Sequence, residues 1–243
     1  MKTGIVVQAR MTSSRLPGKI LMPAAGKPLL EIQIERLRRI DCVDQLVIAT
    51  TTLASDDPVV ALCDRLGVPT FRGSEDDVLS RYHGAATRFG LDTVVRVTAD
   101  CPMIDPRISS GVIRHFQQNR DKLDYCSNTL TRSYPRGLDT EVFRFEALDQ
   151  AHREAVAGPE REHVTLFIYR RPERFRLQNL PSPVDLSHNR WTVDEPADYE
   201  LVSRMINALY PANPDFGLED GLALLREHPD WPQINETVRQ KQV

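Results

Sequence analysis

The chain has 243 residues, of which 41% are apolar and 27% charged, which is an ordinary globular composition and argues against disorder or a fibre. Its formal net charge of −3 leaves no global basic field, so nucleic acid is not an expected partner. No apolar run approaches the length of a membrane span, and MKTGIVVQAR lacks a signal-peptide core, so a cytoplasmic protein with no membrane contact is expected. Cys42, Cys63, Cys101 and Cys126 are scattered without a CxxC pair, which suggests reduced core thiols rather than a disulfide frame or a zinc site.

In chain order, Gly4–Gln8 reads as a short buried strand. A loop rich in Gly, Pro, Ser and basic residues runs to about Lys27. Pro28 then opens a helix to about Arg39. Gln45–Thr50 is a second strand, and Ser55 is the expected cap of a helix over Asp57–Leu66, closed by Gly67. Val68–Phe71 is a third strand, Glu75–Phe89 a helix, Thr93–Thr98 a fourth strand, and about Pro106 to Gln118 another helix. Alternation of this kind, with continuously apolar strands, predicts an α/β fold: a Rossmann-like, mostly parallel sheet flanked by helices.

The second half is less regular. Leu123–Ser127, Leu138–Phe143 and Phe175–Leu180 read as strands. Phe145–Val156, Glu160–Tyr169, Pro196–Leu209 and Leu218–Glu227 read as helices. We expect a single domain over 1–243, with a small β-rich insertion at about 123–180 that serves sugar binding or dimerisation.

In such sheets ligands bind at the carboxyl ends of the strands. Two segments fall there. The first, Gln8 to Lys19, reads QARMTSSRLPGK and places Arg10, Arg15 and Lys19 within ten residues. Gly18 permits close backbone approach, and Ser13 and Ser14 add hydroxyls. A strand, a basic flexible loop and a helix together suit phosphate, with Arg gripping oxygens by its fork and Lys acting as a point charge. Neither a Walker motif nor GxGxxG is present, and on charge alone the loop is equally a solvated basic turn. The second segment is Asp100, just beyond TVVRVT and followed by Cys101 and Pro102. It is either a turn cap or an oxygen ligand for a hard cation. Asp194, ahead of the helix at Pro196, has the same two readings. Asp198 is expected to favour the positive end of that helix.

Several blocks in a fixed order carry a resemblance: RMTSSRLPGK with GKPLLEIQIERLRR, SEDDVLSRYHGAA at 74–86, RVTADCPMIDP at 96–106, YPRGLDTEVF at 134–143, EREHVT at 160–165 and WTVDEPADYELV at 191–202. Together they resemble the cytidylyltransferases that activate acidic sugars, the ketodeoxyoctulosonate and acylneuraminate enzymes. The spore-coat polysaccharide biosynthesis branch is the closest of these. The resemblance spans about residues 4–205. It implies transfer of CMP from CTP to a hydroxyl of an acidic sugar, with release of pyrophosphate and with Mg²⁺ as cofactor. It also implies a homodimer.

By the same resemblance, Ala9, Arg10, Ser14, Arg15, Gly18 and Lys19 match the triphosphate loop. Lys19, Arg10 and Asp100 are the expected catalytic groups, and Lys19 neutralises the leaving pyrophosphate. Asp100 and Asp194 are the expected metal ligands. Asp77 and Arg81, with Asp76, match a nucleotide-proximal helix start, where a capped helix with a solvated Arg is the plainer alternative. Arg136 is a candidate for the substrate carboxylate, and Asn128 and Asp139 are candidate sugar contacts. His163 is expected to be structural, and Trp191 to lie in the core. One departure matters. Ketodeoxyoctulosonate enzymes carry a Ser-Gly-Thr-(Asp/Glu)-Arg segment where this chain has Ser74-Glu75-Asp76-Asp77-Val78, so their contacts there do not carry over. A nucleotidyltransferase for another nucleotide or a sugar phosphate is the alternative enzyme, although GxGxRLxP is missing. A non-catalytic nucleotide-binding protein is the alternative from another class.

Overall fold

In the computed structural model, which describes residues 1–240, the chain begins β1 (Thr3–Gln8), β2 (Pro23–Ala24), β3 (Lys27–Pro28), α1 (Leu29–Leu37), β4 (Gln45–Thr51), α2 (Asp57–Leu66), β5 (Thr70–Gly73), α3 (Val78–Phe89), β6 (Thr93–Thr98) and α4 (Pro106–Gln118). It continues through β7 (Tyr125–Ser127), β8 (Glu141–Arg144), α5 (Phe145–Glu154), α6 (Gly158–Glu162), α7 (Leu166–Tyr169), β9 (Leu177–Asn179), α8 (Pro196–Leu209) and α9 (Leu218–Glu227). Seven strands form one sheet in the order β5-β4-β1-β6-β8-β7-β9, and β2 pairs with β3 in a small separate ladder. Only β8 runs against the others in the large sheet.

The expected Rossmann-like arrangement is therefore present. The strands read as an insertion, β7 to β9, complete the far half of the same sheet. Alternation along β1 explains the layers. Ile5 and Val7 pack on one face with Leu30, Ile34, Val59 and Phe116 of the helices α1, α2 and α4. Val6 faces the other way, toward Leu79, Tyr82, Leu148 and Ile168 of α3, α5 and α7. A third core gathers Trp191, Val193, Leu201, Met205 and Phe216 around α8 and α9. Trp191 is a core residue, as read from sequence, and three of the four cysteines are buried while Cys42 is half-buried.

Two expectations need correction. The helix expected over Glu160–Tyr169 is two short helices, broken at His163 and Val164. Val164 holds φ at 49°, which a β-branched residue rarely adopts. Ser55 does not cap α2. Asp56 occupies the cap position, and its side chain does not bond the helix.

The chain crosses β1 in both directions: β4 lies on one side and β6 on the other. The crevice between β1 and β6 at their carboxyl ends is thus the topological switch point, where open α/β sheets take ligands. Gln8 is in register with Thr98 there, so the basic loop and Asp100 emerge side by side.

Gly137 fixes a second part of that region. It holds φ at 106°, and a Cβ on it would lie 2.6 Å from the Trp191 carbonyl carbon. The close approach lets the Trp191 N–H donate to the Arg136 carbonyl at 2.7 Å and the Arg136 N–H to the Asn189 carbonyl at 3.0 Å. Gly26 also holds a positive φ, of 75°, but in open space. Gly137→Ala is expected to lower stability by roughly 2–3 kcal/mol and Gly26→Ala by about 1 kcal/mol, read from urea unfolding midpoints. Equal losses would mean that the approach to Trp191 costs nothing to widen.

Candidate active site

Three stretches of chain meet at the switch point. Lys19 begins the single turn that closes the basic loop, and its side chain is buried. Its ammonium donates to the Val193 carbonyl at 2.6 Å, to Asp194 Oδ1 at 2.9 Å and to Asp100 Oδ2 at 3.3 Å. Asp100 is steadied in turn, since the Thr98 hydroxyl donates to its Oδ1 and the Val193 N–H to its carbonyl at 2.8 Å. Arg15 reaches Asp194 at 3.0 Å and Glu195 at 3.4 Å, while Arg10 lies 3.9 Å from Glu75. Ala9 is buried at the root of the loop, Gly18 holds φ at 71°, and Ser14 is exposed at its tip. Lys19, Arg15, Asp100 and Asp194 are thus brought together, with Arg10 on the adjoining strand end.

Charges set the local chemistry. Burial alone would lower the Lys19 pKa, but Asp100 and Asp194 outweigh it and raise the value, so the ammonium persists. Burial alone would raise the Asp194 pKa. Lys19, Arg15 and Arg190 outweigh that and hold it below the ordinary carboxylate range. Arg190, which sequence reading passed over, donates to Asp194 Oδ2 at 2.8 Å. It also donates to both oxygens of Asp198, at 2.8 and 3.0 Å. Asp198 itself accepts the N–H groups of Asp194 and Glu195, which caps α8 as expected.

The other expected residues divide. Asp77 caps α3 by accepting the Ser80 N–H at 2.9 Å, and both its oxygens pair with Arg161. Arg81 is buried and donates to the Ser74 carbonyl at 2.6 Å, while its Nε has no partner among the described residues. Arg81 and Arg10 line a small cavity of about 90 Å³ with Gln8, Ala9 and His163. Asn128 is buried with both ends of its amide on backbone, donating to the Leu138 carbonyl at 2.7 Å and accepting the Thr140 N–H at 2.9 Å. It therefore ties the turn of residues 128–140 rather than presenting a polar group to a cavity.

Asp139 lines a larger cavity of about 400 Å³ with Thr98, Arg132, Arg96, Glu141 and His163. Arg132 grips Asp139 with two bonds of 2.7 Å. At the floor, Glu141 pairs with Arg96 and accepts the hydroxyls of Tyr125 at 2.6 Å and Thr165 at 2.7 Å. Arg136 is half-buried and lines a different cavity, of about 380 Å³, with Asn189, Arg190, Trp191 and Asn235. Burial and the neighbouring Arg132 hold its pKa below the ordinary value. Asp139 and Asp194 pair with Arg132 and Arg190, and no carboxylate pairs with Arg136 among the described residues.

His163 was read as structural, yet among the described residues it alone lines both cavities. Arg96, Arg132, Glu141 and Arg190 went unread. Each is a charged residue whose partner across the cavity or turn gives no periodic signal in sequence.

A family model described as Cytidylyltransferase matches residues 4–210. The chain belongs to that family. Among its relatives, the spore coat polysaccharide biosynthesis protein SpsF of Bacillus subtilis is 35% identical over 236 residues, covering 93% of this chain and 94% of that protein. A solved cytidylyltransferase from Leptospira borgpetersenii is 32% identical with a TM-score of 0.93, covering 99% of this chain and all of that one. The structure of CMP:2-keto-3-deoxy-manno-octonic acid synthetase complexed with CTP shares the fold, with a TM-score of 0.64 at 20% identity over 86% of this chain and 99% of that chain. No helix among the described residues of this cytidylyltransferase is long and apolar enough to cross a membrane.

Lys19→Met removes the cation shared by Asp100 and Asp194, and a loss of about 2–3 kcal/mol is expected at pH 7. Asp194 has a lowered pKa when folded. Its contribution is present above the unfolded value and disappears as pH falls through the folded one. The gap between wild type and Lys19→Met should therefore close on acidification from pH 7 to 3, measured by urea unfolding. A gap that holds constant would show that the loss does not come from the ionised Asp194.

Proposed function

We propose that the chain transfers CMP from CTP to a hydroxyl of an acidic sugar, releasing pyrophosphate, for surface polysaccharide or glycoconjugate synthesis. The observation that carries this reading is the buried Lys19 ammonium between Asp100 and Asp194 at the switch point, with Arg10 and Arg15 on the same loop. Family membership and relatives named as 3-deoxy-manno-octulosonate cytidylyltransferases support it.

In this reading the triphosphate lies along the loop. Arg15 and Arg10 turn from Glu195 and Glu75 to phosphate oxygens, and Lys19 meets the charge that grows on the leaving group. The sugar hydroxyl attacks the α-phosphorus in line. The new O–P bond forms as the bond to pyrophosphate breaks, pyrophosphate departs with that electron pair, and the hydroxyl proton passes to solvent. Catalysis is then mostly positioning and charge stabilisation, which a rigid strand-end cluster supplies.

The donor set fits magnesium. Asp100 and Asp194 are hard oxygen ligands, and this ion commonly takes one or two carboxylates beside phosphates. Asp100 is the more open, with a quarter of its side chain exposed. When bound, the ion would supply charge neutralisation and acidify a hydroxyl beside it. Arg136, which pairs with no carboxylate among the described residues, is the expected grip for the sugar's carboxylate, and Asp139 is the expected acceptor of sugar hydroxyls. A homodimer is expected as well, and light scattering at micromolar concentration would reveal it or show only monomer.

Pyrophosphate release with CTP and Mg²⁺ should appear with a sugar acid and fall at least about a hundredfold in Lys19→Met and Asp100→Ala. Silence across a broad panel of sugar acids and nucleotides, with CTP bound, would favour a binding protein instead. Arg136→Met should raise KM for the sugar acid about tenfold while leaving KM for CTP unchanged. A rise in both would place Arg136 on the nucleotide.

A further inference from the structure

Asp56 is fully buried in the turn between β4 and α2. It stands at the cap position of α2 but leaves that helix end alone. Its carboxylate reaches across to the basic loop. Oδ1 accepts the Met11 N–H at 2.7 Å. Oδ2 accepts the Thr50 hydroxyl at 3.0 Å, the Thr51 N–H at 3.1 Å and the Thr51 hydroxyl at 2.5 Å. Burial alone would raise its pKa, and these donors outweigh burial, so it stays ionised.

Met11 is held from its other side too, since its carbonyl accepts the Gly18 N–H at 2.8 Å. The loop from Met11 to Gly18 is thus closed at its base, and the base is bolted to the end of β4. The bolt's own footing is stiff. Arg72 donates to the Thr51 and Leu53 carbonyls and to Asp57, each at 2.7 Å. Arg10 precedes the clasp, Arg15 lies inside the closed loop and Lys19 follows it. Three cations on an untethered loop would have to be ordered by the ligand, at a cost in conformational entropy.

We propose that Asp56 is the positioning residue of the phosphate loop: through the Met11 amide it fixes the loop so that Arg10, Arg15 and Lys19 converge on one polyphosphate. The inference rests on the reading of that loop as the triphosphate site. Asp56 touches no substrate, and its effect falls on the cost of ordering the loop.

The test compares wild type with Asp56→Asn, Thr51→Val and Thr51→Ser by calorimetric titration of CTP and of CMP, which lacks the outer two phosphates. Exchange of the Met11 amide is followed alongside that of Ile5, Val6 and Val7 in β1. An asparagine keeps the size but has one nitrogen that cannot accept, so one of the two donor groups loses its partner. The expected result is about tenfold weaker CTP binding in Asp56→Asn with CMP affinity unchanged, and faster exchange at Met11 with β1 still protected. Thr51→Val should share the CTP loss in part, and Thr51→Ser, which restores the hydroxyl, should not. Asp56→Asn binding CTP as tightly as a binding wild type overturns this inference alone. Equal losses for CTP and CMP overturn it too, because they mean a general structural role. Wild-type protein that binds no CTP overturns the reading of the loop, and this inference with it.

Discussion

One buried ammonium joins the parts of this site. Lys19, Asp100 and Val193–Asp194 are far apart in the chain and meet at a single nitrogen. A lysine in that position needs its carboxylates, because a lone buried charge is costly to hold. The carboxylates in turn need the lysine and Arg190. The contact therefore fixes the end of β6 against the start of α8, and the basic loop against both. Local bonds support it, including the Thr98 bond to Asp100 and the cap that Asp198 makes on α8.

The charges of the crevice are largely matched within the protein. Arg15 faces Asp194 and Glu195, Arg132 faces Asp139, Arg96 faces Glu141, and Arg161 faces Asp77. On the proposed reading, a polyanion entering there would replace carboxylates that already hold the cations in place. Side-chain order is then mostly in place before binding, and what changes is the partner. The half-exposed pairs, such as Arg15 with Glu195, are the easiest to exchange, since water compensates the carboxylate that is left behind.

Much of this could be read from residues in order. The strands β1, β4 and β6 are continuous apolar runs, and their carboxyl ends point to the loop of Arg10, Arg15 and Lys19 and to Asp100. Asp194 was legible from its place ahead of α8, and Asp198 from its place in the first turn of that helix. What could not be read depends on partners far away in sequence or joined through irregular turns. Asp56 looks like one more polar residue beside a helix start until Met11 is found against it. Val164 sits in a run that is helical by composition, and only tertiary packing holds it in the left-handed region. Arg190 and Arg132 carry no spacing signal, because their roles are set by carboxylates that a turn brings round.

The reversed direction of β8 has a consequence for how such a site can vary. Arg96 and Glu141 stand opposite each other because β8 runs against β6. The start of β8, not its end, therefore abuts the crevice, and the turn carrying Arg132, Arg136 and Asp139 arrives before the strand that anchors it. Between the points where Asn128 and Gly137 tie that turn, residues such as Arg132 can be exchanged while the pairing of β8 with β6 and β7 stays in register, and the loop after β1 is untouched. One wall of the crevice can thus vary within the limits those ties set, and the opposite wall is held to a constant shape by the sheet itself.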